Sequence, residues 1–244
     1  MEPREYDRMF SLEESHWWYR ALRRYIGRAL AGTLASRPAV LDAGCGTGML
    51  LAQWGDSVRG VGLDYSAEAL RRAQRRELAR LVRGSVERLP LRSAVFDLVV
   101  SADVLYHRGV SDDVAALHEF ARVLKPGGTL LLNLPAFGWL RSGHDVAIHT
   151  ARRYTAPEVR EKLMRAGLRP VRVRYWNFLL FPPIALVRLA RRPRGGDAGA
   201  AQSDLTALPG WLNGLLDGLL AFEARLGFLG APAGLSVLAV ARKE

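Results

Sequence analysis

Between Val40 and Leu50 the chain reads VLDAGCGTGML, an apolar run that meets three glycines and then turns apolar again. A glycine-rich turn that leaves a strand and opens a helix can bring bare backbone N–H groups close to a ligand, because glycine tolerates the dihedrals and has no side chain in the way. The alternation continues downstream. AVLDAG (39–44), RGVGLD (59–64), ARLVRG (79–84), VFDLVVS (95–101) and GTLLLNL (128–134) read as strands. Helices are expected near 47–55, over 66–78 behind the N-cap Ser66, and over 111–124, with KPGG (125–128) breaking the last before its strand. Short apolar strands alternating with amphipathic helices predict a doubly wound α/β fold whose mostly parallel sheet is covered on both faces. Ligands bind such sheets at the carboxyl ends of the strands, where the first glycine turn lies.

The 244 residues, 49% of them hydrophobic, suit one domain with embellishments better than two independent ones. The start, MEPREYDRMF, is charged and has no apolar core, unlike a signal peptide, so a cytoplasmic protein is expected. Cys45 is the single cysteine, which excludes an intramolecular disulfide, a thiolate cluster and a CxxC redox pair. The net charge of +11 admits nucleic acid or an anionic membrane surface as a partner. The positive residues are scattered rather than gathered beside a reading element, which weakens the nucleic-acid reading.

The turn is Gly44-x-Gly46-x-Gly48 and lacks the G-x-G-x-x-G spacing that seats a pyrophosphate, so a dinucleotide is disfavoured. Asp64 ends the second strand where a carboxylate would accept hydrogen bonds from both hydroxyls of a ribose. A nucleoside remains. VLDAGCGTG, VGLDYS, VERLPLRSAVFDLVVSADVLYH and RVLKPGGTLLL, in this order over residues 38–134, resemble the successive motifs of class I S-adenosylmethionine-dependent methyltransferases of the type 11 kind. The resemblance implies a seven-stranded sheet and S-adenosylmethionine as cofactor. It sets Asp42, Gly44, Cys45 and Gly46 around the methionine part, Asp64 on the ribose, Tyr65 against the adenine, and Ser85, Val86 and Ala102 beside them. Where relatives often carry an acidic residue facing the adenine amine, this chain has Ser85.

Methyl transfer to a hydroxyl needs alignment and a proton acceptor. His107, after the fourth strand at the ligand edge, is the first candidate base, with His16, His144 and His149 behind it; His118 falls mid-helix and reads as a surface residue. EESHWWYRALRRYIGRAL (13–30) reads as one helix, and its HWWYRALRR resembles an N-terminal signature of a bacterial subset of these enzymes, which implies a lid with Trp17 and Tyr19 on the cofactor. HDVAIHTARRYT (144–155) sets Arg152, Arg153 and Tyr154 near the substrate mouth; His144, Asp145 and His149 lack a further ligand, so no metal is expected.

Residues 1–36 are thus expected as a helical lid, 37–177 with 234–244 as the cofactor-binding core, and 178–233 as a separable apolar helical insertion before the last strand. Within the insertion, Leu215, Leu216, Leu219 and Leu220 are expected to bury against the run that starts at Phe178. That arrangement would make a substrate cap, a homodimer seam, or, with Arg188, Arg191, Arg192 and Arg194, a contact peripheral to the inner face of a membrane. SADVLYH is not an Asn-Pro-Pro-aromatic motif and no Pro-Cys nucleophile exists, so nucleic acid is not expected as the acceptor. The expected function is methylation, at oxygen, of a small or lipophilic molecule in secondary-metabolite or glycolipid biosynthesis. The alternatives are an RNA methyltransferase and a non-catalytic cofactor-binding partner subunit.

Overall fold

The computed structural model describes residues 3–35, 37–190, 206–226 and 231–244. Its strands are β1 (Ala39–Ala43), β2 (Arg59–Asp64), β3 (Leu81–Arg83), β4 (Phe96–Ala102), β5 (Leu124–Pro135), β6 (Leu168–Trp176) and β7 (Ser236–Lys243). They form one seven-stranded sheet in the order β3-β2-β1-β4-β5-β7-β6. β1 to β5 run parallel, and β7 enters antiparallel between β5 and β6. The strand order reverses between β1 and β4, so the connections leaving these two strands diverge to opposite sides and open a crevice at their carboxyl ends.

Two apolar layers close the sheet. On one face α5 (Asp113–Val123) and α7 (Ala156–Arg165) bury Leu117, Phe120, Val159 and Leu163. On the other, α2 (Trp17–Leu34), α3 (Met49–Trp54) and α9 (Gly210–Leu226) contribute Leu22, Ile26, Leu30, Leu51 and Leu220. α4 (Ala67–Gln74) starts at Ser66, whose hydroxyl accepts from Ala69 N at 3.3 Å. α1 (Pro3–Leu12) lies against α4, α6 (Gly143–Ala147) carries a capping box from Ser142, and α8 (Phe181–Ala190) precedes α9.

Three local expectations are corrected. The helix expected over 13–30 begins only at Trp17, and residues 13–16 are the link from α1, because His16 caps α2 by accepting Trp18 N at its own Nδ1. KPGG lies inside β5, since Phe96 already pairs with Leu124 before the register resumes at Leu98 with Thr129. α9 packs on α2 as well as against the start of the run at 178, whose Phe178 N and Leu179 N donate to Glu223: Leu220 is buried and Leu216 and Leu219 are half-buried, but Leu215, expected to be buried, is 62% exposed. Arg191, Arg192 and Arg194 lie outside the described residues. Among the described residues no helix is long and apolar enough to cross a membrane.

Candidate active site

The glycine turn performs a different task from the one its composition suggests. Gly44 N and Cys45 N both donate to Leu63 O (2.7 and 2.9 Å), Gly48 N donates to Cys45 O, and Gly46 N donates to Asp64 Oδ2 at 2.9 Å. These N–H groups are therefore spent inside the protein, and what the glycines supply is room. Gly44 has φ +91°, and a Cβ there would fall 2.2 Å from Val104 Cγ2; a Cβ on Gly46, at φ +54°, would fall 2.9 Å from Met9 Cε. Left-handed backbone and close approach together demand glycine.

Asp64 ties this turn to α4, because its Oδ1 accepts from Ser66 N at 2.8 Å while Oδ2 holds Gly46. One lone pair on each oxygen remains for a ligand. Burial raises the Asp64 carboxyl above its usual range despite these hydrogen bonds. Asp42, at the end of β1, is pushed up to about 7 by burial, with Asp64 and Glu13 adding repulsion.

The strap between α1 and α2 crosses the turn. Glu13, 2% exposed, accepts from the Thr47 hydroxyl and from Arg76 Nη2 at 2.8 Å, while Arg76 also donates to Thr47 O at 3.2 Å and to Glu14. Arg23 reaches back to the carbonyls of Glu13 and Glu14. The strap is thereby bonded to the turn it crosses. Glu13 and Arg76 escaped the sequence reading because the bond joins residues 63 apart, with no local pattern to mark it.

Under this strap lies a cavity of about 1380 Å³. A single small-ligand pocket holds roughly 300–1,000 Å³, so this one has room for two molecules side by side. Its end beside the glycine turn is lined by Asp42, Gly44, Cys45, Gly46, Asp64 and Tyr65, together with Ser85, Val86 and Ala102. Tyr65 stands 76% exposed, and Ser85 Oγ accepts from Glu87 N at 3.2 Å. Trp17, Trp18, Tyr19 and His16 roof the cavity, with Trp18 stacked on Trp176 at 5.0 Å.

The far end is lined by His107, Arg141, His144, Arg153 and Asn177, and by Pro183, Ile184, Val187 and Arg188 of α8. Arg153 is fixed by the buried Asp145 (2.7 and 3.1 Å) and by Ala136 O. Asn177, fully buried at φ +60°, has neither side-chain amide atom bonded, and the buried Thr150 hydroxyl is likewise unpartnered; both line the cavity. Such orphaned groups carry a desolvation penalty that a ligand can relieve.

Between the two ends sits Asp103, which the sequence reading passed over. It leaves β4 at φ +59°, and its Oδ1 accepts from Asn133 Nδ2 at 3.0 Å. The Asn133 amide is oriented in turn by Trp176 Nε1, which donates to Asn133 Oδ1 at 2.8 Å. Asp103 Oδ2 has no hydrogen-bond partner among the described residues. Burial pushes the carboxyl up to about 7, against the lowering by Asn133 and Arg153. The signal that could have found it is an acid closing a buried strand at the ligand edge.

Of the sequence candidates, Arg152, Tyr154 and His149 are not brought to the cavity. Tyr154 is buried on the opposite face of the sheet, donating to Leu105 O and sharing Asp113 with Lys162 and Arg152. His149 lies behind His107, with ring centres 5.8 Å apart. Among the described residues no group of three His, Cys, Asp or Glu side chains could hold a metal.

A family model described as a methyltransferase domain matches residues 41–132. A malonyl-[acyl-carrier protein] O-methyltransferase of Serratia marcescens is 38% identical over 129 residues, 51% of this chain and 50% of that protein. A protein of Mycolicibacterium smegmatis named probable S-adenosylmethionine-dependent methyltransferase is 34% identical over 161 residues, 64% and 61% of the two chains. The chain thus spans half to three fifths of the length of these relatives. The crystal structure of an S-adenosylmethionine-dependent methyltransferase from Thermotoga maritima shares the fold, with a TM-score of 0.61 at 19% identity, over 99% of this chain and 95% of that one. Residues 41–132, which carry the glycine turn and the strand-end Asp64, thus match a methyltransferase domain, within a doubly wound sheet whose fold is that of a solved S-adenosylmethionine-dependent methyltransferase.

Proposed function

We propose that the protein transfers the methyl group of S-adenosylmethionine to an oxygen of a small lipophilic molecule. The observation that carries this reading is the two-ended cavity, with carboxylates at one end and the apolar wall of α8 at the other. Asp42, Asp64 and Glu13 gather around the glycine turn of a chain whose net charge is +11. Such a local excess of carboxylates suits a cationic cofactor. S-adenosylmethionine supplies, when bound, an electrophilic methyl carbon on a sulfonium. The Serratia relative is named an O-methyltransferase, which supports oxygen as the methylated atom.

The chain's own residues then have to bind, align and deprotonate. Asp64 offers its remaining lone pairs to the ribose hydroxyls, and the Glu13 strap keeps water from the cofactor end. Asn177 and Thr150 offer hydrogen bonds to the acceptor's polar head. For an acceptor hydroxyl, Asp103 Oδ2 is the proton acceptor, because Asn133 fixes the carboxyl and a value near 7 matches the working pH. His107 suits this task less well. Its Nδ1 accepts from Gly109 N at 2.9 Å, so the neutral ring carries its proton on Nε2, and burial, with His149 adding repulsion, holds it down to about 4.

The test is methyl transfer from labelled cofactor into a lipid and metabolite extract. Label in a lipophilic product supports the reading. Label in RNA, or calorimetric binding of S-adenosylmethionine without any transfer, overturns it. With the labelled acceptor, the rate should climb with pH to a plateau above about 7 as Asp103 ionises. Asp103→Asn should lower it by roughly 10²–10⁴ while His107→Ala lowers it much less. A rate that instead rises through about 4 and collapses in His107→Ala would return the role to the histidine.

A further inference from the structure

α9 is apolar on two sides. Its inner side carries Asp217, Leu220 and Glu223 against α2. Trp211, Leu215, Phe222 and Leu226, spaced four, seven and four residues apart, form a single outward stripe. Each is more than half exposed. α8 adds exposed Leu186, Val187 and Leu189. Lone exposed apolar residues need no explanation, but a stripe running the length of a five-turn helix does.

The charges around the stripe select among occupants. Both carboxylates of α9 are turned inward: Asp217 pairs with Arg20 (3.0 Å) and Arg24 (2.9 Å), and Glu223 accepts from Tyr25 Oη and from Asn177 N, Phe178 N and Leu179 N. The one charged side chain α9 leaves outside is Arg225. On β6, Arg172 and Arg174 alternate with Trp176 and so share the sheet face that α2 and α9 cover. Among the described residues none of these three arginines has a carboxylate partner. A symmetric second copy would set these unpaired cations against their own kind, whereas an anionic lipid surface neutralises them and takes the aromatic and leucine side chains at its interface.

We infer that the outward face of α9, with α8 and the arginines of β6, docks this protein on an anionic lipid surface. The placement also serves the lipophilic-acceptor reading, on which its purpose rests. Pro183, Ile184 and Val187 of α8 line the acceptor end of the cavity while Leu186 and Leu189 face outward. One helix thickness, roughly 10 Å, separates lipid from site.

Flotation of the full chain with vesicles of equal parts phosphatidylcholine and phosphatidylglycerol tests this directly, without any acceptor. The protein should float with these vesicles at low salt and less at high salt. W211S/L215S/F222S should weaken partitioning by about 100-fold. R172Q/R174Q/R225Q should weaken it by a similar factor, about 100-fold, on the mixed vesicles and leave the residual binding to pure phosphatidylcholine unchanged. Calorimetry with S-adenosylmethionine should give wild-type affinity for both variants, since neither touches the cofactor end. A wild-type chain that stays with the pellet, or a serine variant that floats as well, overturns the inference. So does a concentration-dependent dimer that the serine variant dissolves, which would assign the stripe to a second copy. Vesicle binding without methyl transfer into any extract would sink the functional reading and leave the docking surface standing.

Discussion

At the carboxyl end of β1 the chain holds its site with backbone geometry, through three glycines at positive φ and N–H groups spent on Leu63 and Asp64. In the helical layer over the other end of the cavity it uses side chains instead. Arg24 to Asp217, Tyr25 to Glu223 and Asn213 to Ser15 and Trp17 join residues 193 to 198 apart. A geometry that glycine adopts most readily is written into five consecutive residues, Gly44 to Gly48. A pairing between the two ends of the chain is written nowhere in particular, because any Arg can meet any Asp. The two regions should therefore fail differently when broken.

The harshest break is at the turn. Gly44→Val puts a branched side chain at φ +91° with its Cβ 2.2 Å from Val104 Cγ2. Left-handed strain and overpacking together should cost about 4 kcal/mol, and S-adenosylmethionine binding should vanish in calorimetry. A mildly affected variant would mean that the turn adapts, and the contrast between the regions would dissolve.

The corresponding break in the helical layer is Glu223→Ala. It strips one acceptor from three backbone N–H groups and the Tyr25 hydroxyl in a fully buried site. Urea unfolding should show a loss of about 3 kcal/mol, with Glu223→Gln recovering part. Cofactor affinity should fall little in the folded fraction, since the pairing lies behind the acceptor end. Equal losses of stability and affinity would join the two regions into one cooperative unit.

The segment expected from sequence as an insertion over 178–233 packs into this layer through α9. Leu220 and Glu223 are buried parts of the layer on α2, so α9 belongs to the core even though it arrives after β6. What periodicity could show was that the segment is helical and apolar. It could not show which neighbour that face would meet, and Leu215 and Leu220 were indistinguishable until α2 was in place. The strands, the glycine turn, the strand-end position of Asp64 and the Ser66 cap were legible because each answers a local demand. Glu13, Arg76, Asn177 and Asp103 were not, because burial and partners set by tertiary packing make them matter. KPGG misled for a related reason: four turn-forming residues read as a break, yet they are a bulge inside a strand held by Phe96 and Leu124 on the same ladder.

A smaller effect separates binding from support within the turn itself. Asp64→Ala removes the acceptor of Gly46 N and Ser66 N as well as the proposed hold on the ribose. Charge-assisted bonds to a ligand in a partly dry site lead to an expected loss of about 2 kcal/mol, or roughly 30-fold, in S-adenosylmethionine affinity. Asp64→Asn keeps one acceptor oxygen and should recover a portion. Unchanged affinity in both would remove Asp64 from the ligand and leave it a purely structural brace.

The smallest effect is expected at Tyr65, one residue further along. Its side chain stands 76% exposed and its ring makes no aromatic contact among the described residues, so Tyr65→Ala should leave the unfolding free energy within about 0.5 kcal/mol. If the ring folds onto the adenine, the same change should weaken S-adenosylmethionine by about 1 kcal/mol, near fivefold, with Tyr65→Phe close to wild type because stacking needs the ring and not the hydroxyl. Backbone-built and side-chain-built parts of the site meet at this position: the residue before it is fixed by two backbone donors, and this one awaits its partner. An alanine variant with wild-type affinity would mean that backbone geometry alone holds the nucleoside.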